Sequence, residues 1–346
     1  MTDADRGIYY EALLAKRPEY EGVFYVGVTT TGVFCRPTCP ARKPKFENCE
    51  FFRTAKEALR ASFRPCKRCR PLSHPGQATE LVQRLVEAVE AEPERRWREA
   101  DLQALSVDVS TARRGFKRRF GVTFAQYSRA RRMGLAAAQL KEGESVIGAQ
   151  LAAGYESGSG FRRAFSRTLG AAPSRPEPSV LTAARLDTPL GPMLAVADER
   201  SLYLLEFTDR QGLERELEQL RATTGAAIVP GRAEPLHAVE REVAQYFAGA
   251  LREFRTPTAL LGSPFQRSVW EVLRRVPYGE TRSYADVAAE TGRPSAARAV
   301  AAANSANVLA LVVPCHRVVG ADGAPRGYGG GRTRKVWLLE HENRRS

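Results

Sequence analysis

The chain has 346 residues, 43% of them hydrophobic, which supports two or three packed domains and excludes wholesale disorder. Its formal net charge is +14, and no apolar run approaches the about 20 residues a spanning helix needs. A soluble cytoplasmic protein facing a polyanion is expected, with no membrane partner; a basic surface kept for solubility alone is the competing reading. The acidic N-terminus does not read as a secretory signal, so reduced cysteines are expected.

The first block is rich in cysteine and carries the largest basic excess, 14 basic against 8 acidic residues over 1–76. GVFCRPTCPAR holds Cys35 and Cys39 as C-x3-C, and FRPCKRCRP holds Cys66 and Cys69 as C-x2-C. Two tight pairs separated by a loop suit one tetrahedral Zn2+; disulfides are the alternative, disfavoured in a reducing compartment. Cys49 belongs to neither pair and reads as core. A four-thiolate centre carries a formal 2− charge, so it either only holds the domain together or offers a nucleophilic sulfur. Basic neighbours such as Arg36 and Arg42 would draw in a phosphate backbone.

PLSHPG (71–76) and GAAPSRPEPSV (170–180) read as joints, because clustered proline stops helices. Between them one unit occurs twice. DLQALSVDVSTARRGFKRRFG (101–121) and QLAAGYESGSGFRRAFSRTLG (150–170) align at an offset of 49, with Phe116 on Phe165 and Gly121 on Gly170. Each copy reads as a short helix, a turn and a basic helix, hence a helix-turn-helix; a helical hairpin without DNA binding is the alternative. The duplication and the ending Phe161, Phe165, Gly170, Pro173 resemble the DNA-binding domain of AraC-type regulators. That resemblance implies two units in successive major grooves. The groove-facing candidates are Arg113, Arg114, Lys117 and Arg118 in the first copy, and Ser159, Arg162 and Arg163 in the second.

In the last block, residues 183–207 read as two strands around a turn and FQRSVWEVLRRV (265–276) as an amphipathic helix. Residues 278–307 read as a further helix-turn-helix. Its second helix, RAVAAANSA, is nearly all alanine with Arg298 projecting, which suits either a narrow groove with one inserted side chain or close helix packing. VLALVVPCHRVVG (308–320) reads as a buried strand ending at Cys315 and His316, either a packed thiol or an activated one.

PCHRVV, with AARAVAAANSAN before it and RGYGGG and WLLEHE after it, resembles the O6-alkylguanine-DNA alkyltransferases over 181–346. The resemblance implies that Cys315 accepts an alkyl group from guanine O6 and that His316 takes the thiol proton through a water. It implies further that Glu342 orients that relay, as in a nucleophile–base–orienter set. By the same resemblance Arg298 fills the gap left by a flipped guanine, Tyr284 helps turn the nucleotide out, Asn307 braces the site and Tyr328 lies over the base pocket. Gly329 and Gly330 stand where relatives often carry larger or polar residues.

Taken together, the three blocks resemble the Ada family of bacterial adaptive-response proteins. The fold class implied is multidomain α+β: a small four-cysteine zinc domain (1–76), an all-α tandem helix-turn-helix domain (77–175), a ribonuclease-H-like α/β subdomain (181–260) and a winged-helix-like alkyltransferase domain (261–346). The family implies irreversible repair of O6-methylguanine and O4-methylthymine at Cys315 and of methylphosphotriesters at Cys35. Cys39, Cys66 and Cys69 remain the zinc partners of Cys35. The family also implies that methylating Cys35, which would take the zinc centre from 2− to 1− and ease its approach to phosphate, switches the protein to transcriptional activation. The partners implied are double-stranded DNA, alkylated or promoter, and RNA polymerase, for a monomeric protein. The rival is an AraC-type transcription factor with a structural zinc, sensing thiol oxidation or metal.

Overall fold

The computed structural model describes residues 3–17, 20–69, 71–72, 80–174 and 179–343, excluding the side chains of 3, 4 and 118. Parts of both joints, 73–76 and 175–178, lie outside the described residues.

The cysteine-rich head comprises α1 (Asp3–Leu14), β1 (Tyr25–Val28), β2 (Val33–Cys35), β3 (Cys49–Phe52), α2 (Ala55–Arg60) and β4 (Arg64–Pro65). The sheet order is β3-β1-β2-β4, with β2 and β4 parallel. The register Phe34↔Pro65 bears on the metal geometry, because the residue that follows each of them is a cysteine, Cys35 and Cys66. Cys49 is buried in the head core and directs Sγ to the Lys45 carbonyl at 3.3 Å, as a packed thiol would.

The helical middle runs α3 (Glu80–Ala91), α4 (Glu99–Ala104), α5 (Val109–Phe120), α6 (Phe124–Lys141), α7 (Val146–Ala152) and α8 (Gly158–Leu169). Both copies of the repeat fold alike. The second helix of each starts at a side-chain cap, with Asp108 accepting from the Thr111 amide and Ser157 from the Gly160 amide. Each ends on a left-handed glycine, Gly121 (φ 74°) or Gly170 (φ 71°), where a Cβ would be strained. Phe116 anchors one core, and Phe161 and Phe165 anchor the other.

The last block contains β5 (Val180–Leu186), β6 (Met193–Ala197), β7 (Leu202–Phe207), α9 (Leu213–Thr224), β8 (Ala227–Pro230) and α10 (Glu234–Ala248). It continues with α11 (Pro264–Arg274), β9 (Arg282–Ser283), α12 (Tyr284–Glu290), α13 (Ala297–Ser305), β10 (Val318–Val319) and α14 (Arg332–Asn343). Residues 183–207 hold three strands rather than two, because Pro189, Leu190 and Gly191 make one turn and Glu199 and Arg200 another. The sheet order is β7-β6-β5-β8, antiparallel except for β5 with β8.

The apolar run before Pro314 is buried but is not a strand. Leu311 takes φ 70°, the Val312 amide bonds back to Ala310 and the Val313 amide to Leu309. Local turns meet these backbone groups, leaving only an isolated bridge from Leu309 to Leu205. The overall class is multidomain α+β, mixing helices with three small sheets among the described residues.

Candidate active site, metal centre and DNA-facing surfaces

Cys315 opens a 3-10 turn, Cys315–Arg317, and is almost fully buried. Its Sγ receives a hydrogen bond from Asn307 Nδ2 at 3.1 Å. The same amide donates to the Val313 carbonyl at 3.0 Å, and Asn307 Oδ1 accepts from the Leu309 amide at 3.0 Å. One side chain therefore ties down the turn that presents the sulfur. Burial pushes the Cys315 thiol up to about 11, against the opposing effect of the Asn307 hydrogen bond. Near neutral pH the residue is a thiol and needs a base.

A histidine, His316, stands at the next position. It is fully buried, and burial lowers its pKa below the ordinary imidazole value, so the ring is neutral. Nε2 lies 2.8 Å from Glu342 Oε1, while Nδ1 has no protein partner. The pairing assigns the ring proton to Nε2 and leaves Nδ1 as the acceptor. Glu342, from α14, also accepts from the Tyr246 hydroxyl at 2.7 Å, from Arg317 Nε at 2.8 Å and from the Gly279 amide at 3.2 Å. Burial works against its ionisation, but His316 and Arg317 outweigh it and hold the carboxyl well below the usual carboxylate range. Four elements of sequence meet on one carboxylate.

Tyr328 packs against the same core, its ring edge-on to His316 at 6.4 Å between centroids, with its hydroxyl lacking a protein partner. Tyr284 begins α12, and its hydroxyl donates to the Arg326 carbonyl at 3.1 Å. Arg298 is exposed near the start of α13, whose Ala303 and Asn304 face inward. Thus Cys315, His316, Glu342, Asn307, Tyr284 and Tyr328 share one neighbourhood, and Arg298 is exposed on α13.

Several residues here escaped the sequence reading. Lys335 is fully buried, donating to the Val318, Arg326 and Gly327 carbonyls, and burial lowers it to about 8. A lysine in a basic C-terminal segment carries no sequence signal of burial. Tyr246 and Arg317 were equally silent, Arg317 despite following His316 directly. Glu206 left a trace, as the one charge inside the apolar run LYLLEF.

In the head, Cys35, Cys39, Cys66 and Cys69 bring all four Sγ atoms within 4.8 Å of one another, with Cys39 and Cys66 at 4.0 Å. Tetrahedral zinc with Zn–S near 2.3 Å requires sulfurs about 3.8 Å apart, so the four residues fit one zinc ion. Lys43 Nζ donates to the Pro37 and Cys39 carbonyls at 3.1 Å each, tightening the first loop. Arg36 is buried, bonds the Cys69 carbonyl and lies 3.9 Å from Glu21, so it braces the two cysteine loops. Arg42 is exposed.

On the tandem repeat, Arg113, Arg114 and Lys117 of α5 are exposed, as are Ser159, Arg162 and Arg163 of α8. Arg114 is held along its helix by Ser110 and Thr111 at 3.1 Å each. The Arg118 side chain lies outside the described residues. No helix among the described residues is long and apolar enough to cross a membrane.

Fold and site define a methylated-DNA–protein-cysteine methyltransferase joined to a helix-turn-helix DNA-binding domain and a four-cysteine metal domain. Residues 8–71 match the metal binding domain of Ada, and 102–176 match a helix-turn-helix domain. Residues 182–260 match the ribonuclease-like domain of 6-O-methylguanine DNA methyltransferase, and 264–344 its DNA binding domain. The chain is 35% identical to the bifunctional transcriptional activator/DNA repair enzyme Ada of Escherichia coli (strain K12), across 99% of this chain and 97% of that one. It is 34% identical to the regulatory protein ada of Salmonella typhimurium, across 95% and 94%. The crystal structure of the Mycobacterium tuberculosis O6-methylguanine methyltransferase is 40% identical over 48% of this chain and 95% of that one, with a TM-score of 0.42. The chain belongs to the Ada family.

Proposed function

We propose that this protein repairs alkylated double-stranded DNA by taking methyl groups onto two of its own cysteines, and that one of these transfers turns it into a transcriptional activator. The observation that carries the first part is Asn307 Nδ2 at 3.1 Å from Cys315 Sγ, beside a buried His316–Glu342 pair at 2.8 Å. In this reading Arg298 enters the stack as the damaged guanine turns out, with Tyr284 and Tyr328 flanking the extruded base. His316 Nδ1 takes the Cys315 proton through a water, and Glu342 stabilises the imidazolium that results. The sulfur attacks the methyl carbon, an S–C bond forms, and the C–O6 bond breaks with its electron pair leaving on oxygen. The guanine then recovers a proton. The S-methyl thioether so formed is not a methyl donor, since passing the methyl on would expel an unactivated thiolate, so Cys315 reacts once. O4-methylthymine would be treated in the same way.

The acceptor for methylphosphotriesters is Cys35, held with Cys39, Cys66 and Cys69 around one zinc ion, which when bound keeps the four thiols deprotonated. Methylation of Cys35 removes one negative charge next to a basic surface that includes Arg42. At short range that is worth on the order of 1–4 kcal/mol toward a phosphate backbone. The exposed Arg113, Arg114, Lys117, Ser159, Arg162 and Arg163 would then hold promoter DNA, with Arg118 assigned to the same face from sequence alone. We place the domains at 1–76, 77–175, 181–260 and 261–346, in a cytoplasmic monomer that contacts RNA polymerase once bound.

The test is incubation of the zinc-loaded protein with chemically methylated DNA, followed by peptide mass spectrometry. The expected result is one methyl group each on Cys315 and Cys35. Methyl on Cys315 alone would leave the head a structural zinc domain. Methyl on neither would favour the thiol- or metal-sensing regulator.

A further inference from the structure

Cys315 is braced from a second subdomain. Arg210, just after β7, reaches the far end of α13, where Nη2 donates to the Ser305 carbonyl and Nη1 to the Asn307 carbonyl, each at 2.9 Å. The same guanidinium pairs with Glu206 and, at 3.0 Å, with Glu216. The Arg210 side chain is 8% exposed and that of Glu206 2%, so this is a desolvated ion cluster with a substantial burial cost. The carbonyls it meets belong to a helix end, where backbone acceptors lack intrahelical partners and a cation is favoured.

The other side of Arg210 faces the loop that carries Tyr328. A Cβ on Gly329 would stand 2.7 Å from Arg210 Cζ, and one on Gly330 would stand 3.0 Å from Phe207 Cδ2. The end of β7 therefore touches both the residue that holds the thiol and the loop beside the base pocket. Only a residue without a side chain at 329 leaves the guanidinium where it is.

We propose that Arg210 is a positioning residue for methyl transfer, fixing the Asn307 backbone so that its amide meets Cys315 Sγ, and that the bare backbone of Gly329 makes room for it. This rests on Cys315 being the acceptor. Without Arg210 the turn after α13 loses its only charged anchor among the described residues, and the Asn307 amide is free to leave the sulfur. Because α13 also carries Arg298, the same brace ties the helix assigned to DNA to the acceptor thiol.

The test uses the full zinc-loaded chain and a duplex oligonucleotide with one O6-methylguanine, measuring the single-turnover rate of transfer to Cys315 and, separately, the Kd. Arg210→Met is expected to slow transfer about tenfold or more, the scale of a lost charge-assisted hydrogen bond, with Kd within about twofold. Arg210→Lys recovers part of the rate, since its ammonium can reach one of the two carbonyls. Glu206→Gln/Arg210→Met removes the buried carboxylate as well, keeping a folded variant available, and is expected to be as slow as Arg210→Met. A wild-type rate in the folded double variant overturns the proposal. So does a loss of rate fully matched by a loss of affinity, which would make Arg210 a binding residue. Wild-type protein that leaves Cys315 unmethylated would instead sink the acceptor reading, a result separable from either of these.

Discussion

Asn307 and Cys315 are joined by a single 3.1 Å hydrogen bond from amide to sulfur, and the same amide also clamps the Val313 carbonyl two residues before the thiol. The contact lowers the cost of negative charge on Sγ and fixes the direction in which the sulfur points.

Asn307→Ala removes both effects. Transfer to Cys315 is expected to slow by roughly 10- to 100-fold, the range for losing one preorganised donor to a developing anion plus some loss of alignment. Alkylation of Cys315 by iodoacetamide, followed against pH, checks the first effect. The wild-type profile should climb toward about 11, and the variant should lie to its alkaline side. An unchanged profile would mean the Asn307 contact does not act on the thiolate.

Acid sensitivity follows from two groups shifted in the same direction. His316 is lowered by burial from its ordinary 6.5. At Glu342 burial pushes upward from 4.5, but the His316 and Arg317 contacts outweigh it and lower the pKa. In both cases the unfolded chain binds protons more readily, so stability rises with pH across each window. The His316 contribution is present above about 6.5 and is lost as the pH falls through the lowered value; the Glu342 contribution is lost only below about 4.5, toward its depressed folded value. Urea midpoints should therefore drop between pH 7.5 and pH 5.5, and His316→Asn should flatten that limb and also weaken the lower one, because it removes one of the two contacts that lower Glu342.

Glu342→Gln tests the same carboxylate as a structural hub. Arg317 would remain buried without its counter-charge, a situation that typically costs about 3–5 kcal/mol. Repair should also slow by at least about tenfold, because the imidazolium loses its stabilising partner. Thermal melts and single-turnover transfer measured on one preparation separate the two effects.

Metal removal should unfold one block only. The four cysteines are the common centre of the head core, whereas the cores around Phe116, Phe161 and Trp270 contain none of them. Chelation, or Cys66→Ser, should abolish the head's cooperative transition and any methylation of Cys35, while Cys315 still reacts. One zinc per chain by atomic absorption is the expected stoichiometry.

DNA contacts should divide by salt dependence. Alanine at Arg113 or Lys117, exposed on α5, should reduce the salt slope of promoter binding by about one per charge if each meets a phosphate. Arg298→Ala should change stability by less than about 0.5 kcal/mol, being exposed, yet slow repair in duplex DNA far more than repair of the free base.

Much of this could be read along the chain because its signals are local. The cysteine pairs, the duplicated helix-turn-helix with its terminal glycines, and the adjacency of Cys315 and His316 each occupy a short window. Short windows also misled at two places. The apolar run 308–313 reads as a strand but folds as consecutive turns, since burial alone does not choose between extended and turned backbone. Residues 183–207 read as two strands around one turn but hold three, since two turns interrupt the alternation.

What the sequence by itself determined is which chemical groups the protein carries: four thiols spaced for one zinc ion, two basic helices, and a thiol with an imidazole at the next residue. Tertiary structure decided how that thiol is held. Glu342 lies 26 residues from His316, Tyr246 lies 96 from Glu342, and Arg210 lies 97 from Asn307. No periodicity spans such separations. These partners meet because burying the apolar faces of β7, α10 and α14 on one core leaves their few polar groups no other place to satisfy charge and hydrogen bonds.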